Sequence, residues 1–256
     1  MSQQLSSHDL TGRVALVTGS STGLGLAIAE SLGRRGAKVA MNFANNIERA
    51  ERGLNQVREA GIEAELFRAD VCDPSAVEQL VADVAAKLGP IDILVPNATG
   101  PQPQRPIEEY DWDFYQEMID FFVKSPYLLT RAILPHLKEQ RWGRIVNIGS
   151  EVVDRAVPSF SAYVAAKGAQ RAWTRSMSQE LAPWNITVNM VSPGWIPVER
   201  HESDPQEMKD EYRAIIPLDR WGVPSDIGEA VAHFATEAGG FSTGQTLVVN
   251  GGNTTI

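Results

Sequence analysis

A single cysteine, Cys72, stands among 256 residues, so no intrachain disulfide can form. That economy suits a reducing compartment, and a lone thiol is expected as a small buried residue. No stretch approaches the roughly 18 consecutive apolar residues of a membrane span. The opening MSQQLSSHDL has neither an apolar run nor a cleavage site, so no secretory signal is expected. Positive charge is in deficit, with 23 Lys and Arg against 32 Asp and Glu and a net charge of −9. Such a surface repels phosphate backbones, which argues against nucleic-acid and anionic-membrane partners and leaves only local basic patches for an anionic ligand. Repeats and low-complexity tracts are absent. The four histidines, His8, His136, His201 and His233, are scattered without ligand spacing, so no metal site is expected. These absences fit a cytoplasmic protein.

What the chain does contain is alternation. Short apolar runs at Val14–Thr18, Lys38–Phe43, Glu63–Ala69, Ile91–Val95, Arg144–Ile148, Ile186–Val191 and Thr246–Val249 read as strands. Between them lie amphipathic stretches at Gly23–Arg35, Ile47–Ala60, Pro74–Leu88, Ile107–Gln140, Ser159–Ala182 and Pro224–Glu237. Pro126 is expected to kink or break the fourth of these. The strands are apolar runs without polar alternation, as expected when helices cover both faces of a parallel sheet. The pattern predicts an α/β fold: one doubly wound, mostly parallel seven-stranded sheet with helices on both faces. No linker divides it, so residues 1–256 read as a single domain. One irregular segment, 194–222, is too long for an ordinary connection and reads as a substrate lid.

The first strand runs into Thr18-Gly-Ser-Ser-Thr-Gly-Leu-Gly25 and then a helix. Glycines at 19, 23 and 25 let the backbone turn tightly and let a pyrophosphate approach the helix N-terminus, where free N–H groups favour an anion. Ser20, Ser21 and Thr22 add hydroxyls. Further on, Tyr163 and Lys167 are four apart on a helix and share a face. A nearby ammonium lowers a phenol pKa from about 10, which makes the pair a plausible general acid/base. Ser150 ends a strand (IVNIGS), and strand C-termini face the ligand crevice of a parallel sheet.

In their order and spacing, TGSSTGLG, Asn97-Ala98, Ser150, Tyr163/Lys167 and Pro193-Gly194 resemble the short-chain dehydrogenase/reductase family over residues 9 to 252. The chain is most similar to its 3-oxoacyl-(acyl carrier protein) reductase-like members. The resemblance implies a Rossmann-type domain and hydride transfer between a nicotinamide dinucleotide and a carbonyl or secondary alcohol. Tyr163 would be the general acid/base. Ser150 would orient the carbonyl, and Lys167 would lower the tyrosine pKa and hold the nicotinamide ribose. Cofactor contacts are expected from Gly19, Ser20, Ser21, Thr22, Gly23, Leu24, Asn42, Asp70, Val71, Asn97, Ala98, Tyr163, Lys167, Pro193, Gly194 and Ile196. The family is usually tetrameric, so a homotetramer is expected.

The chain departs from the family pattern at several points. Phe122 occupies the helix position where an asparagine is usual, which predicts an altered proton relay. Thr99 replaces a glycine after Asn97-Ala98, and Val198 replaces a threonine after Pro-Gly. No acidic residue follows the second strand near Phe43, where NAD-preferring relatives carry one to bind the ribose 2′-hydroxyl. NADP(H) is therefore favoured, with NAD(H) possible. The substrate pocket is expected between the segment after Ser150, the Asn97–Arg105 loop and the lid. Glu151, Trp195, Arg200 and His201 are its candidate contacts, with Arg200 suited to a carboxylate or phosphate. Two other readings use the same residues: a dinucleotide-binding regulator without turnover, and a lyase or epimerase with no net change in cofactor redox state.

Overall fold

The computed structural model describes residues 7–255; the first six residues of the opening segment lie outside them. Seven parallel strands form one sheet: β1 (Val14–Val17), β2 (Lys38–Phe43), β3 (Ala64–Arg68), β4 (Ile93–Val95), β5 (Gly143–Ile148), β6 (Ile186–Pro193) and β7 (Thr246–Val249). Their order is β3-β2-β1-β4-β5-β6-β7, and every pairing is parallel. The helices are α1 (Gly23–Gly33), α2 (Ile47–Glu59), α3 (Pro74–Lys87), α4 (Trp112–Ile119), α5 (Ser125–Gln140), α6 (Val152–Arg155), α7 (Ser161–Leu181), α8 (Gln206–Ala214) and α9 (Pro224–Ala235).

The strands are apolar throughout, yet successive residues still serve opposite faces. On β1, Ala15 and Val17 join a core with Ile28, Leu32, Ile227 and Val231 from α1 and α9. Val14 and Leu16 join a second core with Leu80 and Val84 of α3 and Leu129 and Ile133 of α5. That period of two, with a hydrophobic layer on each face, explains why the strands read as unbroken apolar runs. Strand order reverses between β1 and β4, which opens a crevice at their C-terminal ends. The glycine-rich turn follows β1 there, and the Asn97-Ala98 segment follows β4.

Three local readings need correction. Pro126 breaks nothing: α4 passes into α5 through a π-turn at Asp120–Lys124, where Ser125 N–H reaches back to the Asp120 carbonyl. The wider turn accommodates a residue without an N–H. The helix also begins later than expected, at Trp112, because Asp111 caps it by accepting from the Phe114 N–H at 2.8 Å. The 194–222 segment is not wholly irregular, since it contains α8.

Candidate active site

The glycine turn is locked by its neighbours. A Cβ at Gly25 would lie 2.6 Å from Asn97 Nδ2 and 2.8 Å from Ser20 Cα. Gly19 has φ +61°, and a Cβ there would lie 2.8 Å from Ala98 Cα. Asn97 clamps the turn from the next strand, its amide donating to the carbonyls of Thr18 at 2.9 Å and Gly19 at 3.1 Å. Thr18 Oγ1 accepts from the N–H groups of Asn97 and Ala98, both at 2.9 Å. At the start of α1, Thr22 makes no side-chain cap and the first turn holds no acidic residue. The positive end of that helix dipole is thus uncompensated by the chain. A narrow backbone cradle beside an uncapped helix N-terminus fits a dinucleotide pyrophosphate.

The other expected cofactor residues divide into two groups. Gly19, Thr22, Gly23 and Leu24 line the turn half-exposed, and Asp70 is exposed beside buried Val71. Ser20 and Asn42, by contrast, are spent internally. The Ser20 hydroxyl donates to the Val17 carbonyl at 2.9 Å. The Asn42 amide donates to Phe67 and Ala69 carbonyls at 3.3 and 3.1 Å, while its oxygen accepts from Gly19 N–H at 3.3 Å. These two side chains shape the turn and do not reach outward. Above it, Val198 lies 3.5 Å from where a Gly23 Cβ would be, so the lid begins directly over the glycine turn. Pro193 and Ile196 are buried at the root of the lid, with Gly194 half-buried between them.

Ser150 follows β5 through Gly149, whose missing Cβ leaves room for Ser192 Oγ and Met190 Sδ, at 2.5 and 2.6 Å from its ideal position. Ser150 lies close enough to the Tyr163 phenol to lower its pKa, and its Oγ accepts from Val152 N–H at 3.4 Å. Tyr163 is buried between Phe160 and Phe122, at ring distances of 4.9 and 5.3 Å. Lys167 lies one helical turn on, with Nζ 2.5 Å from the Ile148 carbonyl and 3.1 Å from Gln170 Oε1. Its ammonium also sits 3.8 Å from the centre of the Phe122 ring. Phe122 thus packs against both members of the pair.

Electrostatics here differ from the sequence expectation. Burial raises the Tyr163 phenol above its ordinary value; the Ser150 hydroxyl and then the Arg200 charge pull it back. Lys167 spends its hydrogen bonds on Ile148 and Gln170, with its ammonium 5.8 Å from the centre of the Tyr163 ring. Burial, reinforced by Arg200, holds Lys167 well below the ordinary lysine value. Arg200 itself is exposed on the lid. Its Nε donates to His201 Nε2 at 3.1 Å, and burial followed by the Arg200 charge lowers His201.

The remaining substrate candidates fall elsewhere. Trp195 packs edge-on against Tyr212 and Trp221, 5.4 and 5.8 Å between ring centres, within an aromatic cluster of the lid. Glu151 requires a correction: expected at the substrate, it is 3% exposed, and its carboxylate is taken up by side chains of the protein. The 99–105 wall is pinned by Arg105 N–H on the Ser159 carbonyl at 2.7 Å and by the Tyr110 hydroxyl on the Pro103 carbonyl at 2.6 Å. Among the described residues, no group of three or more His, Cys, Asp or Glu is placed to hold a metal ion. No described helix is long and apolar enough to cross a membrane. Cys72 is half-buried, and burial with the Asp70 charge pushes its thiol up to about 12.

Sequence reasoning missed Arg68 and Gln170. Arg68 pairs in register with Phe43 and extends from the end of β3, with Nε donating to the Ala44 carbonyl at 3.0 Å. Its signal was present: the strand-end register puts it beside the position that lacks an acid. Gln170 is 1% exposed and lies three residues after Lys167 on the same helical face, a spacing that marks it as a neighbour of the ammonium.

The family model described as enoyl-(acyl carrier protein) reductase matches residues 19–254. The chain belongs to the short-chain dehydrogenase/reductase family. Among its relatives, 3-oxoacyl-[acyl-carrier-protein] reductase FabG of Staphylococcus aureus is 35% identical over 240 residues, 93% of this chain and 96% of that one. The 2-dehydro-3-deoxy-D-gluconate 5-dehydrogenase of Formosa agariphila is 31% identical over 247 residues, 95% of this chain and 93% of that one. Among solved structures, a gluconate 5-dehydrogenase from Burkholderia cenocepacia in complex with NADP and tartrate superposes with a TM-score of 0.90 at 31% identity, covering 98% of each chain. This member of the short-chain dehydrogenase/reductase family is an NAD(P)-dependent oxidoreductase acting on the CH–OH/C=O pair. The regulator and lyase readings give way to hydride transfer.

Proposed function

We propose that this enzyme reduces, or in reverse forms, the carbonyl of a small substrate that carries a carboxylate or phosphate, with NADP(H) as the preferred cofactor. The observation that carries the anionic part is Arg200, an exposed cation hydrogen-bonded to His201 on the lid segment whose Val198 lies over the glycine turn. The tartrate held by the Burkholderia relative, a hydroxy dicarboxylate, supports the same substrate class.

The bound dinucleotide supplies the hydride. Gly19, Thr22, Gly23 and Leu24 would hold its pyrophosphate. Asp70, Val71, Asn97 and Ala98 would flank the adenosine, and Pro193, Gly194 and Ile196 the nicotinamide. Tyr163 Oη gives its proton to the carbonyl oxygen in reduction and takes it back in oxidation. Ser150 Oγ orients that oxygen. Lys167, one helical turn from Tyr163, would make the ribose contact that the family implies. Arg200 anchors the remote anionic group and favours the phenolate. Burial keeps Tyr163 protonated, as a general acid requires.

The preference for NADP(H) rests on β2 ending without a carboxylate and on Arg68 beside that end. Arg68 has one nitrogen on Ala44 and the rest of its exposed fork available for a 2′-phosphate. Arg68→Ala should weaken NADPH binding by about tenfold and leave NADH binding within about twofold, since a charge-assisted hydrogen bond contributes about 1.5–3 kcal/mol. Equal losses for both cofactors would contradict the assignment. Arg200→Ala should raise KM for anionic substrates by about tenfold or more and spare a neutral ketone. We further propose a cytoplasmic homotetramer built from one dinucleotide-binding and catalytic domain per chain. Exposed Trp112 on α4 and Phe241 before β7 support burial of these faces in an assembly.

A further inference from the structure

Glu151 is the residue after the active-site serine, and four side chains converge on its carboxylate. Oε1 accepts from the Tyr212 hydroxyl at 2.6 Å and from Arg155 Nη1 at 3.1 Å. Oε2 accepts from Asn250 Nδ2 at 2.7 Å, and Asn253 Nδ2 lies 3.3 Å from both oxygens. Those donors come from separate parts of the chain: the lid helix α8, the short helix α6 and the segment after β7. The network continues one step further, because the Tyr212 hydroxyl oxygen accepts from Trp195 N–H at 2.8 Å, on the loop after β6. On the other side, Glu151 N–H donates to the Pro193 carbonyl at 3.0 Å.

A buried carboxylate loses hydration and persists only where donors replace water. These donors take up its lone pairs, and only Arg155 brings a positive charge. Tyr212 suits the donor role: burial and then the Glu151 hydrogen bond raise its phenol above the ordinary value, so the proton stays on the tyrosine. Glu151 is one residue from Ser150 and one hydrogen bond from the lid. Tyr212, Trp195 and Asn250 also line a cavity of about 330 Å³ under the lid, so the knot sits where the lid meets the body of the protein.

We propose that Glu151 is a positioning residue that latches the lid, through Tyr212 and Trp195, to the turn carrying Ser150. Lid closure and alignment of the serine hydroxyl are then one event. The inference deepens the hydride-transfer reading and rests on it for the role of Ser150; the contact between lid and latch does not depend on that reading.

The test uses the full chain and the variants Glu151→Gln, Tyr212→Phe and their double. Glutamine puts an N–H2 against the amides of Asn250 and Asn253 and breaks the knot, whereas Tyr212→Phe removes only the lid's hydrogen bond. Trypsin cleavage at Lys209 and Arg213 of α8 is followed with and without NADPH, well below the melting temperature. Each single variant should speed cleavage by about tenfold and lose much of the protection given by NADPH, and the double should be no faster than the faster single, because groups in one network are not additive. kcat/KM should fall by a similar factor, again without additivity. Unchanged α8 cleavage alongside a lowered Tm would make Glu151 a stability element and overturn the latch, as would additive effects in the double. Tyr163→Phe separates the two readings: it should stop turnover and leave α8 protection intact. If no variant and not the wild type turns over a substrate, while cleavage follows the expected pattern, the latch stands and the hydride reading fails.

Discussion

Lys167 carries its charge where water does not reach, and that has a consequence for stability. Its pKa in the folded protein is well below the ordinary value, through burial first and Arg200 second. Between the folded and unfolded values the unfolded chain binds more protons, so stability rises with pH through that window, up to about 10.4. Lys167→Met removes the penalty. Its Tm should exceed that of the wild type at pH 7, by the equivalent of about 1 kcal/mol, while activity is lost. The gap should narrow as pH approaches 10; a Tm that falls at every pH would contradict this account. Phe122→Ala should cost about 3–5 kcal/mol in a urea melt, as for other buried aromatics. The Arg200 charge lowers Tyr163, so Arg200→Ala should move the limb that requires the phenolate, in the oxidation direction, to higher pH. At this scale, Ser150, Tyr163 and Lys167 were legible because their types and spacing on one strand end and one helix face are set by local sequence. The partners of Glu151 were not, because they come from residues 155, 212, 250 and 253, which only the folded chain brings together.

Most elements could be read directly, because their capping chemistry is local. Asp73 precedes Pro74 and accepts from Ala76 N–H at 2.8 Å, and α3 begins where that pair predicts. Pro126 misled because its effect depends on the turn around it: in a π-turn the missing N–H is tolerated. The α9 terminus offers a further test. Asp226 accepts from Val223 N–H at 2.9 Å and pairs with Arg220, and the Arg220 hydrogen bond first holds its carboxyl below the ordinary value. That contribution is present above the unfolded carboxylate pKa and is lost as pH falls through the lower folded value. Asp226→Ala should cost about 1 kcal/mol near neutral pH, mostly from the cap and little from the solvent-screened ion pair. In the glycine turn, Gly25→Ala forces a Cβ against Asn97 and the Gly19 carbonyl. An NADPH fluorescence titration should show affinity lowered by at least about tenfold, given roughly 1–3 kcal/mol for overpacking.

At the scale of the whole molecule, the parallel sheet and its crevice followed from apolar strands alternating with helices, since each strand must be covered on both faces. The lid did not follow in the same way. Its length was evident, but α8 is a short and largely exposed helix, held by aromatic stacking and by the carboxylate of Glu151, and neither contact has a sequence period. Assembly belongs to this scale too. Sizing at micromolar concentration should give four times the chain mass; a monomer would contradict the proposed tetramer.

The central claim is that Tyr163 moves the proton that accompanies hydride transfer. Nicotinamide absorbance should be followed with NADPH and NADH over keto-acids, keto-sugar acids, 3-oxoacyl thioesters and neutral ketones, for the wild type and Tyr163→Phe. The account predicts NADPH-dependent turnover of an anionic carbonyl substrate, reduced in Tyr163→Phe by at least about 100-fold, the low end for loss of a general acid. Turnover that persists in Tyr163→Phe at the wild-type rate would contradict it.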